Sequence, residues 1–343
     1  MYVLKFQRKQ IYFTLSIFLI LTSHTSCLKN KSNADVSNIT INITTKRFET
    51  DLFNTDLVNF NKSASKLQMK YPEFYQLFVE NIVRLGRIED SAYLNNLKDF
   101  VSNKDINTLK KDCDSIFSDL KPYQYELKQS FKYVKYYFPK ADIPEIVTFV
   151  SGFNNAIVNT ETSLGLGLDM FLGRNYRYYP SAGFPQFVIK NLHPKAMVPT
   201  AIKGFTKFRF EENAEESRLL YRMVYEGKIL YFMDKVLPET DDSLKIGFTK
   251  KQMEWCKTYE KDIWANFISQ KLLFSTDRLQ TNKYLDDAPF TSGLDNESSP
   301  MLGVWVGWQI VRNYMENASE VSLAQLMAEK DAEKILKISG YKP

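Results

Sequence analysis

Glu226 is the residue whose type and placement first ask for a chemical explanation. It lies in ESRLLYRMVYEGKILYFMDKVL (216–237), where Leu219, Met223, Glu226, Leu230, Met233 and Leu237 recur at alternating steps of four and three. That spacing predicts one stripe of an α-helix, apolar except for the carboxylate at its centre. A charge on a core-facing stripe has to be paired, ligated or protonated, because burying it alone is costly. The expected partner is Arg312, at the end of the apolar run MLGVWVGWQIVR (301–312). Gly303 and Gly307 lie one turn apart in that run and leave a flat face for close packing. Ser299 and Pro300 supply N-cap and first-turn residues before it. A second acid, Asp169, stands among glycines and large apolar residues in LGLGLDMFLG (164–173). No lysine follows a closing glycine, so this is no phosphate loop. The glycines predict close backbone approach in a sheet.

Scarce residues narrow the chemistry. The chain has two histidines, His24 and His193, and three cysteines. The usual zinc ligand sets therefore have too few members, and no metal or cofactor is expected. His193 precedes Pro194 in a loop-like stretch and reads as a loop residue. Cys113 and Cys256 make no disulfide framework and read as unpaired packing residues.

The elements that position these residues begin after a leader. Lys5, Arg8 and Lys9 precede the apolar run 11–21, and the small residues Thr25 and Ser26 precede Cys27. This is the pattern of a secretory signal peptide, 1–26, and Cys27 resembles the acylated first residue of a mature bacterial lipoprotein, a palmitate-bearing anchor. Residues 27–36 have the composition of a tether. Without the three leader charges the net charge falls from +5 to +2, and nothing in that balance argues for nucleic acid.

Residues 37–343 are expected to form a single domain of the α+β class, predominantly helical. NITINITT (38–45) predicts a strand. Residues 57–138 read as helical, with Pro72 in a first turn and a break at Pro122. The Tyr and Phe residues of 123–138 are expected to pack in the core. Residues 145–153 and 156–158 predict strands of a small sheet extending to 171. Packed helices follow: one opened by Pro199 and Thr200, the Glu226 helix, a long helix over 249–274, and the Arg312 helix. SLAQ (322–325) is a capping box, and 332–338 closes the chain as a helix.

Several stretches carry a resemblance: GLDMFLG (167–173), RYYPSAGFPQF (177–187), YEGKILYFMDKVLP (225–238), EWCKTYEKDIWANFI (254–268), PFTSGLDNESSPMLGVWVGWQIVRNYM (289–315) and the closing SGYKP. These resemble the gliding-motility lipoprotein GldB family of the Bacteroidetes. The resemblance implies a lipid-anchored envelope protein needed for gliding, with the membrane and other gliding and secretion proteins as partners, linked to the type IX secretion apparatus. It carries no assigned reaction. The residues after Cys27 lack an acidic export cluster, which points to a periplasm-facing protein.

EGKILY (226–231) also resembles, more distantly, the helix that supplies a carboxylate zinc ligand in gluzincin-type metallopeptidases. The resemblance implies a His-Glu-x-x-His helix about 20 residues upstream, but MVPTAIKGFTKF (197–208) contains no histidine. A zincin-like, degenerate metallopeptidase fold without zinc is the resulting expectation, a pseudoenzyme with no catalytic residues. The contacts expected for Glu226 are Arg312, Lys203, Tyr221 or Tyr178. Two alternatives stay open. One is a metal-independent hydrolase using Glu226 and Asp169 as acid and base. The other is a peptide- or glycan-binding module whose old cleft is lined by Asp169, Tyr178, Tyr231 and Trp308.

Overall fold

The segment SLGLG places leucine on one face of a strand and glycine on the other. In the computed structural model, which describes residues 33–343, it forms β4 (Ser163–Gly167). The strands β1 (Thr45–Arg47), β2 (Glu145–Phe149) and β3 (Ile157–Asn159) complete a sheet of order β1-β2-β4-β3. β1, β2 and β4 run parallel, and β3 is antiparallel to β4. Every residue of β4 is buried, the expected state of a parallel strand covered on both faces. Leu164 and Leu166 enter the larger core. On the opposite face a Cβ at Gly165 would approach the Phe74 ring to 2.8 Å, so glycine makes room for that ring.

β2 alternates in the same way. Ile146 and Val150 enter the larger core, while Val147 and Phe149 join a second cluster with Phe48, Phe74 and Phe78. The helices Phe48–Phe53, Phe60–Lys70, Pro72–Leu77 and Ala92–Ser102 build that second cluster. Lys104–Ile116, Lys121–Tyr137 and the helices after the sheet build the larger one. Helices thus cover both faces of a small sheet. Residues from Asp35 to Pro343 form one compact unit, and none of the described helices is long and apolar enough to cross a membrane. The signal peptide 1–26, Cys27 and the tether as far as residue 32 lie outside the described residues.

Several expectations need correction. The strand expected over 38–45 is three residues, Thr45–Arg47, and continues directly into a helix. Ile39, Ile41 and Ile43 instead pack their side chains on the larger core; β2 is only five residues long and offers no ladder further upstream. The long helix over 249–274 is three pieces, Lys250–Thr258, Glu260–Ser269 and the short Leu272–Phe274, because Tyr259 leaves helical geometry at φ −104° and ψ 19°. The Arg312 helix is Leu302–Asn317, and its cap position is Met301 at φ 50°. Ser299 does not cap it; its hydroxyl donates to the Gln252 carbonyl. The break expected at Pro122 falls at 117–120, and Pro122 lies in the first turn of the next helix, Lys121–Tyr137. Tyr125 and Tyr136 on that helix are 66% and 48% exposed, so they are not core residues. The capping box at Ser322 forms and Pro72 opens its helix; Thr249 and Gln252 form a second capping box that was not expected. Cys113 and Cys256 are buried free thiols.

At the centre the helices Leu219–Val236 and Leu302–Asn317 cross with their backbones in contact. A Cβ at Gly227 would sit 2.2 Å from the Gly307 carbonyl oxygen, and one at Gly307 would sit 1.9 Å from that of Met223. No side chain fits there without separating the helices. Gly307→Ala is therefore expected to cost about 2–3 kcal/mol, the scale of an overpacked core. Chemical denaturation measures it, with Leu279→Ala, at a 93% exposed position, as the neutral comparison.

Candidate functional site

The stripe read from the sequence is buried along its length: Leu219, Met223, Leu230 and Met233 are fully inaccessible. Glu226 lies at the edge of this core with 17% of its side chain exposed. Its partner comes from the preceding helix, Met197–Arg209. That helix buries Met197, Val198, Ala201, Ile202 and Phe205, and Lys203 and Lys207 follow one another at i and i+4 along it, which puts both on one face. The Lys207 ammonium lies 2.5 Å from Glu226 Oε1.

Glu226, Lys203 and Lys207 line a pocket of about 270 Å³, together with Glu212, Arg222, Asp286 and Asp287, and Leu285, Met301 and Val304 supply its apolar part. Arg222 donates to Asn282 at 2.8 Å and pairs with Glu212 at 3.6 Å. Lys190 reaches Asp287 at 3.3 Å. Lys203 has no hydrogen bond or ion pair with another described side chain, although Glu226 and Asp287 both act on it electrostatically. Burial pushes the Lys203 ammonium below the usual lysine range, and Glu226 partly offsets this. Burial likewise raises the carboxyls of Glu212 and Asp287, against the nearby Arg222 and Lys190. Charges of both signs are thus held around one partly desolvated space.

Arg312 does not meet Glu226. Its guanidinium takes Asp234 in a two-point contact, at 2.8 and 2.9 Å, and reaches Asp242 at 2.8 Å. Lys245 donates to Asp234 at 2.9 Å, the Trp308 indole N–H donates to it at 3.0 Å, and Arg312 stacks 3.7 Å above the Trp308 ring. The physical reason is distance along the helix: Asp234 lies eight residues beyond Glu226, about 12 Å further on, where the Arg312 end of the crossing helix arrives. Two carboxylates, two cations and an indole form a network that holds the helix pair to the short helix Asp242–Ile246.

The other expected cleft residues are dispersed. Asp169 is fully buried beside the loop after β2, where its Oδ2 accepts from the backbone N–H groups of Ser151 at 3.1 Å and Phe153 at 2.6 Å. Gly152 and Phe153 there have φ of 74° and 69°. A bulky residue at positive φ is strained, and the Asp169 carboxylate accepts from the N–H groups that this turn exposes. It is not available as an acid or base beside Glu226, so the acid–base pair of the hydrolase alternative does not form. Tyr178 is 40% exposed beneath Arg177. Tyr231 is buried, with Lys235 over its ring, and Trp308 belongs to the Asp234 network. None of these four lines the Glu226 pocket. His193 is a half-buried loop residue beside Arg174, 3.2 Å away.

Among the described residues no cluster of three or more His, Cys, Asp or Glu side chains is arranged to hold a metal ion. Sequence reasoning missed Lys207, Glu212, Arg222, Asp286 and Asp287. The signal for Lys207 was present: it stands four residues after Lys203 and 19 before Glu226.

Asp169 gives the fold a pH signature. Burial pushes its carboxyl up to about 6 from 3.8, against the backbone donors that favour the anion. The native state takes the proton before the unfolded state does. Stability from this group is therefore reduced above about pH 6 and recovered as pH falls from about 6 towards 4. Wild type minus Asp169→Asn, measured by denaturant unfolding between pH 7 and pH 4, is expected to rise on acidification. A flat difference would contradict the assignment.

The comparisons with known proteins bear on nearly the whole of this body. No curated protein and no solved structure matches the chain. The family model for gliding motility protein GldB, whose label is that of a lipoprotein family, matches residues 29–343. The chain belongs to the GldB family of gliding motility proteins.

Proposed function

We propose that the chain works without catalysis, as a lipid-anchored part of the cell envelope in gliding motility, coupled to type IX secretion and facing the periplasm. The family match over residues 29–343 carries the reading. The anchor is assigned to Cys27, and the partners are the membrane and other gliding and secretion proteins.

The pocket supports the noncatalytic part. A two-His-plus-Glu zinc site places its histidines at i and i+4 on one helix. The helix that faces Glu226 carries Lys203 and Lys207 at that spacing. An ammonium group held at Glu226 supplies the positive charge that a metal ion would supply, without an open coordination position for chemistry. The degenerate metallopeptidase reading thus rests on three residues, Lys203, Lys207 and Glu226. A second reading follows from the same place. Lys203, without an ion-pair partner in a pocket lined by both signs of charge, suits a cleft that holds a peptide or glycan.

Deleting the chain is expected to abolish gliding and export of type IX cargo. Reintroducing Glu226→Gln at wild-type abundance is expected to restore both, because a structural carboxylate tolerates the amide. A deletion strain that still glides and secretes would end the first reading. Full loss of function in the folded Glu226→Gln protein would point to chemistry at that carboxylate.

A further inference from the structure

The helix Lys121–Tyr137 has one largely exposed face. Lys121, Tyr125, Lys128, Lys132 and Tyr136 recur at steps of four, three, four and four, and Lys135 lies beside them. The opposite side carries the buried Leu127, Ser130, Phe131 and Val134. The helix contains one acid, Glu126, off this face, half-buried and raised in pKa by burial. Lys121, Lys128 and Lys132 form no ion pair with another described residue. Tyr125 and Tyr136 are large and exposed, at 66% and 48%. Surface lysines on a helix ordinarily alternate with acids. A one-sign stripe interleaved with exposed tyrosines is the composition of an interfacial surface, where lysine ammonium groups and phenols sit at headgroup level.

The chain's own path says which surface this face meets. Asn42 and Ile43, just before β1, form with Lys121, Gln124, Tyr125 and Lys128 an open depression of about 350 Å³. Further upstream Val36 is buried and Ile39 packs on the larger core, so the segment stays against the body as far as Val36. Asp35 lies eight positions after Cys27, a span of at most about 28 Å for a fully extended chain. An acyl group on Cys27 therefore tethers this side of the body within one short reach of the bilayer.

We infer that the Lys121–Tyr137 helix is a membrane-docking face, whose lysines and tyrosines take the anionic headgroups of the same membrane that holds the anchor. The inference rests on the lipid-anchored reading and adds an orientation to it. The anchor alone leaves the body free to tumble on its tether; the basic face fixes which side lies on the lipid. Each lysine near an anionic surface is expected to contribute roughly fivefold to the docked population.

The test uses the purified acylated chain on vesicles of pure phosphatidylcholine or of phosphatidylcholine mixed with phosphatidylglycerol. Hydroxyl-radical footprinting reads Tyr125 and Tyr136, with exposed Tyr178 and Tyr259 as internal references. The expected result is at least about fivefold slower oxidation of Tyr125 and Tyr136 on the anionic vesicles alone. The protection is expected to vanish in high salt and in the combined Lys121→Glu, Lys128→Glu and Lys132→Glu variant, whose thermal unfolding should match wild type. Equal oxidation on both vesicle types overturns the inference. So does protection that is the same on both and survives salt, which would mark a protein partner or a second copy on this face. Intact mass reports acylation of Cys27 separately, so failure of the anchor and failure of the face register as different results. An unacylated chain whose Tyr125 and Tyr136 stay exposed at excess anionic vesicle overturns the face as well.

Discussion

The structure depends on one contact between two backbones. Gly227 and Gly307 let the helices Leu219–Val236 and Leu302–Asn317 touch without intervening side chains. Dispersion attraction grows steeply as helices approach, and the close crossing lets Leu230, Met233, Val304 and Val311 seal the core on either side. It also decides the electrostatics. Glu226 immediately precedes Gly227, so the crossing leaves its carboxylate at the margin of the core, where a cation from a third helix reaches it. Arg312 lies beyond the crossing point and meets Asp234 instead.

Both acid groups show how a chain built around a close helix pair carries charge near its centre. The Asp234 network satisfies several donors and acceptors at once, which offsets desolvation in a way a lone pair does not. Glu226 takes the looser arrangement, with Lys207 40% exposed on its side chain, and therefore contributes less to stability. A third acid, Asp169, serves the backbone rather than another side chain. It closes the turn in which Phe153 adopts positive φ, and that turn supports a cluster of rings from Phe153, Tyr176, Tyr179 and Phe184.

Local patterns were legible in the sequence wherever spacing alone decides. The Glu226 stripe, the flat glycine face, the leucine–glycine alternation of β4 and the capping box at Ser322 all follow from periodicity or from fixed offsets. The α+β class was legible too, since the few strand-like stretches stand apart from long helical blocks. Pairings across the chain were not. Arg312 had several acids within reach of its helix, and sequence does not say how far along two crossing helices a side chain arrives. Asp169 was read as a cleft residue because an acid among apolar residues signals an unusual role, but that signal does not separate a reactive group from a clamp on a strained turn. Lys203 was legible as a contact of Glu226, but Lys207 was not, although the i, i+4 spacing expected of two histidines is present in this lysine pair.

On the noncatalytic proposal, Lys203 and Lys207 stand where metal-binding residues would face Glu226, and their charge replaces the metal. Zinc stoichiometry tests this most directly, measured by elemental analysis on the purified wild-type chain and on the Lys203→His/Lys207→His variant after exposure to equimolar zinc. The expected result is no stoichiometric zinc in wild type and one zinc per chain in the variant, since two imidazoles at i and i+4 opposite a carboxylate complete a ligand set. Stoichiometric zinc in the wild-type chain would contradict the noncatalytic account, and a folded variant that binds none would contradict the placement of the two lysines.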